Sequence, residues 1–212
     1  MSLRVALIQT RTPASQAAAL DHVSPLISRA AQGGARLILT PEGTNLLQKD
    51  RERLTPQLTS LEDDPVVLGL RAAARRLQVS ILVGSALVRR EDGQAANRSA
   101  LITPDGEIAA TYDKLHMFDV DLPNGETARE SSTYTPGDKA VVVRAEGAVL
   151  GLTICYDIRF PALHRALALA GAQILTVPAA FTRSTGEAHW EVLLRARAIE
   201  TGSFVLAPAQ GG

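Results

Sequence analysis

The sequence holds little cysteine, no excess of either charge and no long apolar run. Cys155 is its single cysteine, so no intramolecular disulfide can form, a reducing compartment is implied, and one thiol is left to be explained. Lys and Arg total 22 against 22 Asp and Glu. A basic face would need an equally large acidic one to balance it, which argues against nucleic acid or an anionic membrane as a partner. The most apolar stretch, Ala166 to Phe181, is shorter than a membrane span and is divided by Gly171, Gln173 and Pro178, which excludes a transmembrane helix there. Residues Met1 to Ile8 lack a cationic head, a long apolar centre and a small-residue cleavage site, so they read as the first strand of a cytoplasmic protein. Neither a G-x-G-x-x-G nor a Walker pattern occurs, which argues against dinucleotide or ATP chemistry. His22, His116, His164 and His189 show no paired metal spacing, and no metal or cofactor is expected.

What is present is 46% hydrophobic residues over 212 positions, enough for one globular domain spanning 1–212 to bury a core without staples. Leu3 to Ile8, Ala14 to Gln32 and Arg36 to Leu39 read as a β-α-β opening, with Gly33-Gly34 as the helix stop. Asp63 or Asp64 caps a helix over Pro65 to Gln78, and Val79 to Val88 reads as a buried strand. Ser99 to Ile102 and Glu107 to Tyr112 flank the turn residues Pro104-Asp105-Gly106. His116 to Asp138 has no sustained period and is expected to be a long, functional loop. Strands at Ala140 to Arg144 and Ala148 to Ile154 follow. Pro161 to Ala170 is then a helix, Gln173 to Val177 a strand, Glu187 to Glu200 a helix, and Phe204 to Ala207 a last strand. Helices alternate with strands at both ends, which predicts an α/β fold with mixed sheets and outer helices.

Three polar residues fall where strands end: Glu42, Lys114 and Cys155. Taken singly, a lone Cys is most often a small buried hydrophobe and a Glu or Lys near a turn a solvated charge. Their contexts say more. Pro41-Glu42-Gly43 follows a strand, Tyr112-Asp113-Lys114-Leu115-His116 follows a hairpin, and Ile154-Cys155-Tyr156-Asp157-Ile158-Arg159-Phe160-Pro161 sits at a strand-to-helix turn. With Arg129-Glu130-Ser131-Ser132 and the block Ala188 to Glu200, these segments resemble the nitrilase superfamily of carbon-nitrogen hydrolases. Together with His116 to Asp121, that last block looks most like the amidases acting on deaminated glutathione and the related omega-amidases.

The resemblance implies a four-layer α-β-β-α sandwich and a site of Glu42, Lys114 and Cys155 with Glu130 as fourth member; Glu126 is its rival. It also implies a homodimer or higher oligomer paired through the outer helices next to the nucleophile. Relatives usually run past the position of Gly212 with a further strand and tail, so the C-terminal strands are expected to be missing. Close relatives often have Cys where Gly211 stands. A thiol is mostly protonated at pH 7 and needs a base or a cation beside it. Glu42 can supply the base and Lys114 the cation, and Lys114 with the backbone N–H of Tyr156 can form an oxyanion hole.

The reading is an amidase that releases ammonia from a small carboxylate-bearing amide through a Cys155 thioester, with deaminated glutathione first and 2-oxoglutaramate second. A carbamoyl-amide hydrolase, a nitrilase, a non-catalytic interaction protein and a redox-sensing thiol protein are the alternatives. A carboxylate near Glu42 and Glu130 needs a cation or several N–H donors; Arg183, Arg129 and His116 are the candidates, with Arg183 in a loop as first choice. Arg159 either braces the site through Asp157 or another carboxylate, which is the favoured reading, or binds substrate. Asn97-Arg98-Ser99 matches a glycosylation acceptor but reads as structural. Trp190, Leu193, Leu194 and Ile199 repeat at helical spacing and read as core or subunit contact.

Overall fold

The computed structural model describes residues 2–122, 125 and 127–211. Its first sheet is built from β1 (Val5–Leu7), β2 (Leu37–Leu39), β3 (Ser80–Arg89), β4 (Ala95–Ile102) and β5 (Ile108–Asp113), hydrogen-bonded in that order. β1, β2 and β3 are parallel, while β4 and β5 return antiparallel. Two strands form a small separate ribbon, β6 (Asp119–Asp121) and β7 (Thr127–Arg129). The other main sheet is ordered β11 (Phe204–Leu206), β10 (Ile174–Thr176), β9 (Ala148–Leu152), β8 (Val141–Ala145).

The helices are α1 (Gln16–Gln32), α2 (Arg51–Leu54), α3 (Pro65–Leu77), α4 (Pro161–Leu169) and α5 (Arg183–Thr201). α1 and α3 turn Val23, Ile27, Val66 and Leu70 onto one face of the first sheet in a single buried cluster with Ile38, Ile81 and Val83. On its opposite face Leu37, Leu39, Leu82 and Tyr112 meet Leu150, Leu152 and Ile174 of the second sheet. Leu163 and Leu167 of α4 cover that sheet from outside through Leu175. This alternation of inward faces gives four layers, α-β-β-α, as expected. Among the described residues no helix is long and apolar enough to cross a membrane.

Local chemistry explains several boundaries. Asp64, not Asp63, caps α3 by accepting the N–H groups of Val66 and Val67 at 2.9 and 3.0 Å, and Pro65 fills the first helical position. The segment expected to be one loop contains the β6–β7 ribbon and a 3₁₀ turn at Glu130–Ser132. Asp-Val-Asp and Thr-Ala-Arg alternate over only 3 residues each, so this ribbon is too short to show a period. α2 has only 4 residues, too few for periodicity, and it depends on Asp50 as its cap. α5 begins at Arg183, not Glu187, with Gly186 N–H donating to Thr182 C=O at 2.8 Å. The loop assignment of Arg183 is therefore corrected: it opens a helix.

Candidate active site

Glu42 reaches the site because β3 bulges to receive the turn that carries it. The β3–β4 register shifts between Val83 and Ala86. The bulged Ser85 binds the turn through Gly43 N–H to its Oγ (2.8 Å) and through its carbonyl to Thr44 N–H (2.8 Å). Gly84 is required for the close approach: a Cβ there would stand 1.9 Å from Thr40 O and 2.5 Å from Pro178 Cβ. Asn45 fixes the far side of the turn, donating to Leu87 O and to Asp64 Oδ2. Gln210 Nε2 donates to Glu42 O at 2.9 Å, while its Oε1 accepts from Thr10 Oγ1 and Thr12 N–H. An isolated bridge pairs Thr10 with Gln210, so this side chain ties the ends of both sheets to the Glu42 turn.

Lys114 follows β5 and its N–H donates to Asn97 O of β4 at 3.0 Å. Its side chain is 2% exposed, with Nζ at 3.0 Å from Glu42 Oε1 and at 2.9 and 2.8 Å from Glu130 Oε1 and Oε2. Burial works against this ammonium, but the carboxylates of Glu42 and Glu130 outweigh burial and raise its pKa well above the usual lysine value. Glu130 opens the 3₁₀ turn after β7, and its Oε2 also accepts from Phe118 N–H at 2.7 Å. Glu126 lies outside the described residues.

Cys155 follows β9 and starts a 3₁₀ turn over Cys155–Arg159 with φ of +48°. For a non-glycine residue that left-handed conformation costs on the order of 1–2 kcal/mol, and the turn around it is heavily fixed. Cys155 N–H donates to Pro178 O at 2.8 Å. The fully buried Asp157 accepts from Ile154 N–H (2.9 Å), Tyr112 Oη (2.6 Å) and His116 N–H (3.1 Å), and lies 2.7 Å from His116 Nδ1. Arg197 Nε of α5 donates to Ile158 O at 2.9 Å.

The thiol of Cys155 and the carboxylate of Glu42 line the same cavity. Burial, then the Glu42 charge, push the thiol pKa well above its ordinary value, and Lys114 only partly opposes them. Burial also pushes the Glu42 carboxyl up, but Lys114, the neighbouring Cys155 thiol and the hydrogen bonds from Lys114 and Asn97 bring it below the usual carboxylate value. The resting pair is thus a neutral thiol beside a carboxylate. Glu42 is held further by Asn97 Nδ2 at 2.8 Å on Oε1 and Ala180 N–H at 2.8 Å on Oε2.

These groups line one open cavity of about 970 Å³, walled by Phe118, Tyr134, Tyr156 and Phe181. Small-molecule sites commonly fill roughly 300–1,000 Å³. A polyfunctional amide therefore fits beside the thiol, and the base and the ammonium could act on its carbonyl.

A carbon-nitrogen hydrolase family model matches residues 4–212. The chain belongs to the carbon-nitrogen hydrolase family. It is 44% identical over 197 residues to a deaminated glutathione amidase from Synechocystis sp., covering 91% of this chain and 72% of that protein. It is 46% identical over 182 residues to a deaminated glutathione amidase from Yersinia enterocolitica, covering 84% of this chain and 63% of that one. Among solved structures, the C. elegans NitFhit protein superposes with a TM-score of 0.91 at 30% identity, over 100% of this chain and 53% of that chain. A glutamate-to-glutamine mutant of the Nesterenkonia sp. AN1 amidase, bearing acrylamide on its active-site cysteine, gives 0.83 at 27% identity over 100% and 80%.

Of the residues expected in this hydrolase site, Glu42, Lys114, Cys155 and Glu130 converge, with Tyr156 next to the thiol in the cavity wall. His116 does not join them: it stacks on Phe160 at a centroid distance of 3.5 Å and serves Asp157. Arg129 lines the cavity but pairs with Asp121 at 2.7 Å. Arg183 lines it too, with its side chain 91% exposed and bound to Glu187 at 2.8 Å. Arg159 is not braced by Asp157, whose oxygens are committed elsewhere; it lies over the Tyr156 and Phe181 rings at 5.8 and 5.6 Å. The residue missed from sequence is Asn97, set aside inside a glycosylation-like tripeptide. Its signal is its place on β4, next to Lys114 across the ladder.

Proposed function

We propose that this carbon-nitrogen hydrolase cleaves the amide bond of a small linear carboxylate-bearing amide, deaminated glutathione first and 2-oxoglutaramate second. The observation that carries this reading is a buried thiol, a buried carboxylate and an ammonium on that carboxylate, all lining one cavity of ligand size. The names of the Synechocystis and Yersinia relatives favour the first substrate.

As Cys155 Sγ bonds to the amide carbon, the thiol proton passes to Glu42, because a free thiolate is disfavoured by burial and by the carboxylate. The carbonyl oxygen takes up the displaced electron pair, stabilised by Lys114 and the Tyr156 N–H. Collapse breaks the C–N bond, and Glu42 returns the proton to the departing amine. That amine is ammonia from 2-oxoglutaramate and the amino group of a dipeptide from deaminated glutathione. Water, deprotonated by Glu42, then cleaves the thioester and the proton returns to Cys155. Glu130 holds Lys114 in place throughout.

The test follows new free amine and carboxylate from an amide panel, with mass spectrometry of Cys155 during turnover. A Cys155 acyl adduct and amine release support the reading. Consumption of nitriles or carbamoyl amides with no amide turnover would replace it.

The same proposal makes the protein a cytoplasmic homodimer or higher oligomer. Leu169 of α4, Val192 and Ile199 of α5 and Phe204 of β11 are 76%, 68%, 82% and 77% exposed, and Arg197 is the buried residue of α5. Such an apolar outer face favours a partner, and a monomeric mass in light scattering would count against it.

A further inference from the structure

Lys114 is committed to Glu42, Glu130 and, in the proposed mechanism, the oxyanion, so the carboxylate of an anionic substrate needs a different cation. Arg129, Arg183, Lys49 and Arg51 also line the cavity. Arg129 is neutralised by Asp121 and occupied by the carbonyls of Val120 and Ala128, each at 2.8 Å. Arg183 is neutralised by Glu187, which itself lines the cavity. Lys49 and Arg51 have no carboxylate partner among the described residues. The acid between them, Asp50, is turned away to cap α2, accepting from Glu52 and Arg53 N–H at 2.9 and 3.4 Å and pairing with Arg53 at 3.3 Å.

We propose that Lys49 and Arg51 form the subsite that binds the carboxylate of the substrate. This rests on the amide-hydrolase reading and names what that reading lacks. The catalytic end of the cavity holds two carboxylates to one ammonium, so it repels an anionic group, whereas the two rim cations are uncompensated. An elongated anion is thereby oriented with its amide at Cys155 and its carboxylate at the α2 rim. The rim is also fixed in place. Leu54 of α2 is buried with Leu46, Leu58 and Leu87, and Leu54 and Leu87 line the cavity, so the short helix is anchored by apolar packing before any ligand arrives.

The experiment compares kcat/KM for glutaramate and for its uncharged methyl ester in wild type, Lys49→Ala/Arg51→Ala and Arg183→Ala. The double variant should lose roughly tenfold in the ratio of anionic to neutral substrate, as partly screened rim contacts allow. Lys49→Arg/Arg51→Lys should restore the ratio, Arg183→Ala should reduce it less, and added salt should erode it in wild type. A ratio unchanged in the double variant, or a larger loss in Arg183→Ala, would overturn the subsite. Calorimetric binding of glutarate to Cys155→Ala, with and without the two rim substitutions, reads the subsite separately from turnover. If no amide is hydrolysed yet glutarate binds only when Lys49 and Arg51 are present, the subsite stands and the amide-hydrolase reading falls. If glutarate fails to bind Cys155→Ala, or binds equally without the two cations, the subsite falls.

Discussion

Asn97 and Lys114 are neighbours across the end of the β4–β5 ladder, and their side chains donate to one and the same oxygen, Glu42 Oε1, at 2.8 and 3.0 Å. A carboxylate with an ammonium, an amide and a backbone N–H aimed at it stays ionised in a buried site, which a proton acceptor requires. Removing the amide donor weakens that hold. Asn97→Ala should therefore raise the Glu42 pKa, move the acid limb of the kcat/KM profile to higher pH and reduce the plateau by about tenfold or more. An acid limb left where wild type has it would assign Asn97 to packing alone.

Cys155→Ala should abolish turnover and leave the fold intact. The methyl group fills most of the thiol's space, and alanine meets the same backbone penalty at this φ as cysteine does. Circular dichroism and amine release on the same preparation check both halves.

Lys114→Met leaves Glu42 and Glu130 buried with no counter-charge, and should destabilise the fold by about 3–5 kcal/mol. Lys114→Arg keeps the charge and should recover much of that stability while still losing most activity, because a planar guanidinium cannot occupy the place of a compact ammonium. Urea titrations and kcat separate the two effects.

Glu42→Gln should slow single-turnover acyl-enzyme formation more than Glu130→Gln, since in the proposed mechanism Glu42 carries the proton while Glu130 holds Lys114 and the Phe118 backbone. The reverse ranking would exchange their roles.

His164 is buried in α4, its Nδ1 lies 3.1 Å from Phe160 O, and its Nε2 has no partner among the described residues. Burial lowers its pKa below the ordinary histidine value. The unfolded chain then binds the proton more readily than the folded one, so stability falls as pH drops through about 6.5, the unfolded value, and levels off below the folded value. Glu42 has a lowered carboxyl pKa, so its contribution is lost only further down, as pH falls through its folded value. His164→Asn should flatten the upper of these two slopes, and unfolding free energies measured from pH 7.5 to 5 check it.

Much of this was legible in the chain because it is local. The helix over Pro65–Leu77 announced itself through Asp64 and Pro65, and the nucleophile turn through an apolar strand ending at a polar run. What stayed hidden depends on distant pairing. Asn97 looks like any strand asparagine until β4 meets β5, and His116 looks like a ligand until Asp157, forty-one positions away, takes its ring. Thr182 to Gly186 is polar and holds a glycine, which reads as a loop, yet the helix starts at Arg183. α2 is too short to show a period, so nothing in the sequence marks the cations flanking its cap.

The base and the ammonium hang from one sheet and the nucleophile from the other, with Leu39, Leu82, Leu150 and Leu152 as the layer between. Reactivity is therefore a property of how the two halves dock, and neither half carries it alone. A chain with either sheet formed but not seated has a thiol without its proton acceptor. On the proposed mechanism, nascent or damaged copies are then chemically silent, and amine release counts the correctly closed molecules.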